Sequence, residues 1–268
     1  MTVEERLQQL EKASLEQVKD FHEKYFGTKS MKIVMVGDVE EEVIYSSLKD
    51  NFGTWDGGVA AAPVAREPEE LTNIKELQTE VVHIPEKTSA TLLLGQATGL
   101  AHNDKDFIPL YLANSVLGSG FSGRLMMTVR DEEGLTYGIG SGHSGDFFTD
   151  GYWSVQGSFS PELIEQGYDS SMREIKKWYK EGITEKELEN IKSYRIGSYK
   201  VGLATTYGLA SNILRSVNQG KDPEYIYQYP EDLMKPNLKE VNAAIKKYLD
   251  PDTMVVIKSG TLDKEELE

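Results

Sequence analysis

The chain has 268 residues, 39% of them hydrophobic and 27% charged, with no cysteine and a formal net charge of −15. That length is long for one domain and short for two full ones, and no apolar run approaches the roughly 20 residues of a membrane-spanning helix. The acidity argues against nucleic acid as a partner, and without cysteine there is no disulfide framework, thiolate metal site or thiol nucleophile.

Met1-Thr2-Val3-Glu4-Glu5-Arg6 opens the chain in a charged, helix-like manner with no apolar signal region, which favours a cytoplasmic protein unless the true beginning is missing. Ser14, followed by Gln17, forms a capping box at the head of a helix that ends in Lys24-Tyr25 and a turn. A strand is expected at Met31–Val36, closed by Gly37, and a helix over about 40–52. From Gly53 to Thr72, Gly57-Gly58, an Ala/Pro stretch and Glu69-Glu70 show little periodicity and read as a linker.

Strands are predicted at 75–84 and 89–97, then helices at about 105–117 and 123–132. Two further strands, at about 136–148 and 151–159, flank a Thr149-Asp150-Gly151 turn. Three or four helices follow, the first started by Ser160-Pro161-Glu162 and another by the capping box Thr184-x-x-Glu187. Asn237 and Glu240 make one more capping box, ahead of Lys247-Tyr248 and a last strand at Met254–Ile257.

That final unit repeats the first. At an offset of 223 residues, Leu10, Lys12, Leu15, Val18, Lys24, Tyr25, Met31 and Gly37 meet Leu233, Lys235, Leu238, Val241, Lys247, Tyr248, Met254 and Gly260 without a gap. Residues 1–52 are therefore expected to be the tail of a first domain, 53–72 a linker, and 73–268 a complete second domain. Strands early and late with helices between predict an α+β sandwich, one mixed sheet covered by helices.

Several motifs that carry chemistry are excluded by context. Gly118-Ser119-Gly120-Phe121-Ser122-Gly123 satisfies the dinucleotide fingerprint, but the preceding residues 106–117 have a helical apolar face where that fingerprint needs a strand. The glycines read instead as a joint between two helices. His143-Ser144 with Asp146 are neighbours on a strand, poorly placed for a triad. His22, His83, His102 and His143 are too scattered for a zinc site, and neither His-Glu-x-x-His nor its inverse occurs. Arg130 and Tyr137 remain: a fork donor and a phenol on either side of a glycine cap at Gly134, able to grip one oxygen between them. An Arg130 paired with Asp131 or Glu132 and a Tyr137 lying on a sheet face is the competing reading.

The pattern Leu117, Gly118, Gly120, Gly123, Arg124, Leu125, Val129, Arg130, Gly134, Leu135 and Tyr137 resembles the pitrilysin/insulinase family of zinc metallopeptidases, the inverzincins, which includes insulin-degrading enzyme and mitochondrial processing peptidase. The likeness extends to Ala90–Gly95, Asn103-Asp104, Glu181–Leu188 and the repeated unit, so it covers nearly the whole chain. It implies a metallopeptidase-type sandwich with a mixed, mostly antiparallel sheet, preceded by the tail of a homologous domain. It further implies that this is the carboxy-terminal, zinc-free region of a metalloendopeptidase that closes a chamber on a peptide.

On that resemblance Arg130 and Tyr137 are the catalytic residues, binding the scissile carbonyl. Gly118, Ser119, Gly120, Phe121, Gly123 and Arg124 line the substrate, and the strand at 89–96 or 136–142 pairs with an extended peptide. No metal ligand is expected in this chain. Zinc belongs to a missing amino-terminal region or to a metal-bearing partner subunit, with a second copy of this chain another candidate partner, and the chain alone is expected to be inactive. The alternative is a non-catalytic structural or partner-binding subunit of the same family.

Overall fold

The computed structural model describes residues 2–59, 74–144 and 151–262. In chain order the elements are α1 (Val3–Lys12), α2 (Leu15–Tyr25), α3 (Glu41–Phe52), β1 (Gln78–His83), β2 (Ala90–Ala97) and α4 (Phe107–Gly118). A π-helix (Met126–Glu132), β3 (Thr136–Ser144), β4 (Tyr152–Phe159), α5 (Ile164–Glu181) and α6 (Glu185–Leu203) come next. The chain continues through α7 (Thr206–Asn218), α8 (Tyr225–Met234), α9 (Leu238–Tyr248) and β5 (Val255–Gly260). It forms two compact units, residues 1–63 with 202–226 and residues 64–201 with 227–268.

In the first unit α1 and α2 each open on a complete capping box, Thr2 with Glu5 and Ser14 with Gln17. Both are amphipathic, yet no residue of α1, α2 or α3 is buried. Met31–Val36 was expected as a strand and forms none. The reason is physical: a strand exists only when neighbouring strands take its N–H and C=O groups, and this segment has no such neighbour among the described residues.

The second unit is the expected α+β sandwich. Its sheet runs β1-β5-β2-β4-β3, with β1 and β5 parallel and every other pair antiparallel. Alternation along β2 and β4 turns Ala90, Leu92, Leu94, Trp153, Val155 and Phe159 to one face, all of them buried. Helices α4, α5 and α9 supply Leu110, Leu117, Ile175, Trp178, Val241 and Ile245 against them. Each large side chain so buried stabilises the fold by about 1.5–3 kcal/mol.

One buried polar network fixes α4 on this sheet. Asn114 Oδ1 accepts from Trp153 Nε1 at 2.8 Å and from Ser141 Oγ at 2.7 Å, while Asn114 Nδ2 donates to the Ser141 carbonyl at 3.3 Å. Gly118, at the end of α4, then lies so close to Ser141 that a Cβ would stand 2.3 Å from its hydroxyl oxygen, which is why no larger residue fits there. Strand 136–148 ends at Ser144 in the described residues. Residues 145–148, Thr149 and Asp150 of the expected turn, and 60–72 of the expected linker lie outside them.

Candidate functional site

The residues singled out around 118–137 gather where α4, the π-helix and β3 meet. Val129 is buried and anchors the π-helix, leaving Arg130 on its outer side. The helix ends where Gly134 N–H donates to Arg130 C=O at 2.9 Å and Leu135 N–H to Val129 C=O at 2.9 Å. Gly134 has φ +67°, a left-handed cap that an L side chain would strain, and the chain turns there straight into β3.

Entry into β3 is irregular in a way that matters. Thr136 pairs with Phe159 and Gly138 with Ser158, so Tyr137 is the extra residue of a bulge. A bulged residue leaves the strand's alternation and its side chain is re-aimed. Tyr137 is accordingly 88% exposed. Its ring centroid lies 5.4 Å from Arg130 Cζ, and the ring of Phe121, 75% exposed, lies at the same 5.4 Å. The only carboxylate near Arg130 among the described residues is Asp131, at 3.9 Å from Nε and beyond hydrogen-bond reach. The Arg130 guanidinium, 30% exposed as a side chain, therefore has donors to spare.

Arg124 differs. Its Nε and Nη2 each reach Glu187 at 2.8 Å, and Nη2 also donates to Gly182 C=O at 3.1 Å. Burial opposes the charge on Glu187, but Arg124 and Thr184 hydrogen bonds outweigh it and bring the carboxyl down to about 2. The glycine loop is held at its start by Arg195, whose guanidinium donates to Ser115 Oγ at 2.8 Å and Ser119 Oγ at 2.5 Å and packs 4.8 Å over the Tyr111 ring. No sequence signal pointed to Arg195, which lies far along the chain on α6.

Beside Tyr137 the described residues leave a groove of about 470 Å³ over β3 and β4, bordered by Gly118 at the end of α4. Gly138, Gly140 and Gly142 of β3 floor it, with Ser154, Gln156 and Ser158 of β4 opposite them in register. Among the described residues no charged side chain lines it. Strand pairing with a peptide is closed off on β2, and two groups of β3 are already engaged. β2 is hydrogen-bonded on both sides, to β4 and β5, and on β3 Ile139 N–H points to Met126 Sδ at 3.4 Å while Ser141 C=O takes Asn114.

For zinc the donor set does not fit. Among the described residues no cluster of three or more His, Cys, Asp or Glu is placed to hold a metal ion. His83 Nδ1 is 2.7 Å from Leu262 C=O, His102 packs on Phe107, and His143 is sunk beside β4 with neither ring nitrogen partnered among the described residues. Burial alone brings His143 down to about 4. No helix among the described residues is long and apolar enough to cross a membrane.

Residues 12–194 match the sequence profile of the Peptidase M16 inactive domain. Similar curated proteins include the uncharacterized zinc protease YmxG of Bacillus subtilis, 26% identical over 85% of this chain and 53% of that protein. Another is the non-peptidase homolog YmxG of Helicobacter pylori, 22% identical over 95% of this chain and 58% of that protein. The fold is shared with the peptidase M16 inactive domain from Pseudomonas fluorescens, with a TM-score of 0.79 at 24% identity over 92% of this chain and 57% of the other. It is also shared with a protease from Helicobacter pylori, with a TM-score of 0.76 at 19% identity over 93% and 60%. The chain thus spans little more than half the length of these relatives.

Proposed function

Because the chain belongs to the peptidase M16 inactive-domain family, the metallopeptidases it resembles in sequence, we propose that it is the carboxy-terminal, non-metal-binding part of a zinc-dependent endopeptidase, with Arg130 and Tyr137 holding the scissile carbonyl of a peptide. The observation that carries this is the convergence of the two side chains. One is thrown outward by a bulge into solvent, and the other, partly exposed, is flanked by its ring with donors unspent. As negative charge develops on the carbonyl oxygen, a guanidinium N–H and a phenol O–H donate to it.

The groove floored by Gly138, Gly140 and Gly142 starts at the residue after Tyr137 and gives the peptide a place to lie. Its hydroxyls and the Gln156 amide suit peptide amides, and the lack of charge among its described lining residues disfavours charged side chains there. Of the other residues expected to line the substrate, Gly118 borders this groove and Phe121 stands beside Arg130. Ser119 and Arg124 are engaged in holding the loop. Zinc, and the water it activates, would come from an amino-terminal region or a partner subunit, and this chain alone would not hydrolyse peptides.

Cleavage of a peptide by this chain together with such a zinc-bearing region tests the assignment. Removing one donor of this kind typically costs about a hundred- to a thousandfold in rate. An Arg130→Ala/Tyr137→Phe double variant with full activity would refute the assignment. A second reading, a partner-binding subunit without chemistry, draws on the name of the Helicobacter pylori relative, a non-peptidase homolog. It predicts no cleavage with any zinc-bearing partner while a stable complex still forms.

A further inference from the structure

Arg130 has no hydrogen-bonded partner to orient it among the described residues, and its Asp131 contact at 3.9 Å joins two partly exposed groups, an ion pair worth little. An arginine side chain left to itself keeps most of its rotamer freedom, which a catalytic donor must lose before it can act. Two contacts remain to restrain it, the rings of Tyr137 and Phe121, each at 5.4 Å from Cζ. Tyr137 has its own hydroxyl to contribute to a ligand. Phe121 has nothing but its π-face.

Phe121 also sits where such a ring would not be placed for packing. It is 75% exposed, in a loop whose start is tied down by Arg195 through Ser119 and whose end is tied down by Arg124 through Glu187. Fixing a short loop at both ends and leaving an apolar ring at its crest against a cation spends structure on the cation's orientation.

We propose that Phe121 is a positioning residue, acting on the peptide carbonyl through Arg130 by holding the guanidinium plane beside Tyr137. This rests on the carbonyl-binding role proposed above. A cation–π contact at an exposed site is worth enough that its loss should lower kcat about two- to fivefold. Because an oriented donor matters most in the transition state, the loss should fall on kcat with KM unchanged.

The test uses the Arg130 Nε–H resonance of this 268-residue chain, identified by its disappearance in Arg130→Lys. In the native protein ring currents should displace that resonance. In Phe121→Leu it should move toward the position of a free arginine, and in Phe121→Tyr it should stay. Phe121 is exposed enough that neither variant threatens folding. Cleavage with the zinc-bearing region should then show kcat reduced in Phe121→Leu and restored in Phe121→Tyr.

An Arg130 resonance unmoved by Phe121→Leu would overturn the proposal. So would a raised KM with kcat intact, since that is the signature of a ring touching the peptide itself. Should the Arg130→Ala/Tyr137→Phe variant instead keep full activity, the carbonyl role falls while the resonance still reports whether the ring holds the guanidinium. The two failures are thus told apart.

Discussion

Arg124 spends its fork on Glu187 and the Gly182 carbonyl, whereas Arg130, further along the same stretch, makes no hydrogen bond within the described protein. Equal in sequence as always-charged donors, they differ in what the fold places within reach: a carboxylate at the head of α6 for one, two rings for the other. His143 is a third case, a titratable ring on β3 whose buried nitrogens have no partner among the described residues. Burial lowers its folded pKa from 6.5 to about 4, so between those values the unfolded chain binds the proton and the folded one does not. Stability contributed by keeping this ring neutral is complete above pH 6.5 and is lost as pH falls toward 4, by about 3 kcal/mol. Denaturant melts of the native chain at pH 7 and pH 5 should show this fall, and His143→Leu should flatten it. An equal fall in the variant would assign the acid sensitivity to other groups, Glu187 among them only below pH 4.5.

Strand β3 carries most of what the site does, because one inserted residue and a run of glycines change what its two faces present. Its inner face is held by Ile139 and Ser141, and its outer face is open where Gly138 and Gly142 would project a side chain, with nothing within 4 Å of an added Cβ. Neither glycine has the positive φ that would require it, and a glycine inside a strand costs roughly 0.5–1 kcal/mol, so Gly142→Val should keep or raise the melting temperature. The same valine fills the groove. Anisotropy of a fluorescein-labelled uncharged peptide should therefore report weaker binding to Gly142→Val, and unchanged binding would remove the groove from the proposed peptide path. Features set by near neighbours were legible beforehand. The capping boxes at Ser14, Thr184 and Asn237, the helix before Gly118 and the cap at Gly134 all form as their local chemistry requires. What stayed hidden depends on residues distant in the chain: the Tyr137 bulge needs the β4 register, the fate of Arg124 needs Glu187, and the loop anchor needs Arg195.

At the scale of the molecule, the repeated unit serves as its own control. Leu233 and Val241 are 0% exposed in the second unit, and their counterparts Leu10 and Val18 in the first are 65% and 58% exposed. β5 pairs on both sides, with β1 and β2, while the matching Met31–Val36 pairs with nothing among the described residues. Identical side chains at identical register have one surface to meet in one unit and, among the described residues, none in the other, and apolar faces left bare on two successive helices mark a place for another surface. The proposed amino-terminal region is the occupant this predicts, bringing strands on both sides of Met31–Val36 as β1 and β2 flank β5. Hydrogen exchange offers a direct measurement, because a strand amide exchanges only when the pairing opens and a coil amide exchanges at once. In this chain alone the amides of residues 31–36 should exchange without protection. With the zinc-bearing region supplied as a separate polypeptide they should slow by at least about tenfold, the factor that corresponds to about 1.4 kcal/mol of pairing. A complex that forms and cleaves peptide while those amides remain unprotected would mean that the first unit is not a domain awaiting its sheet, and the active assembly would then have to be held together elsewhere.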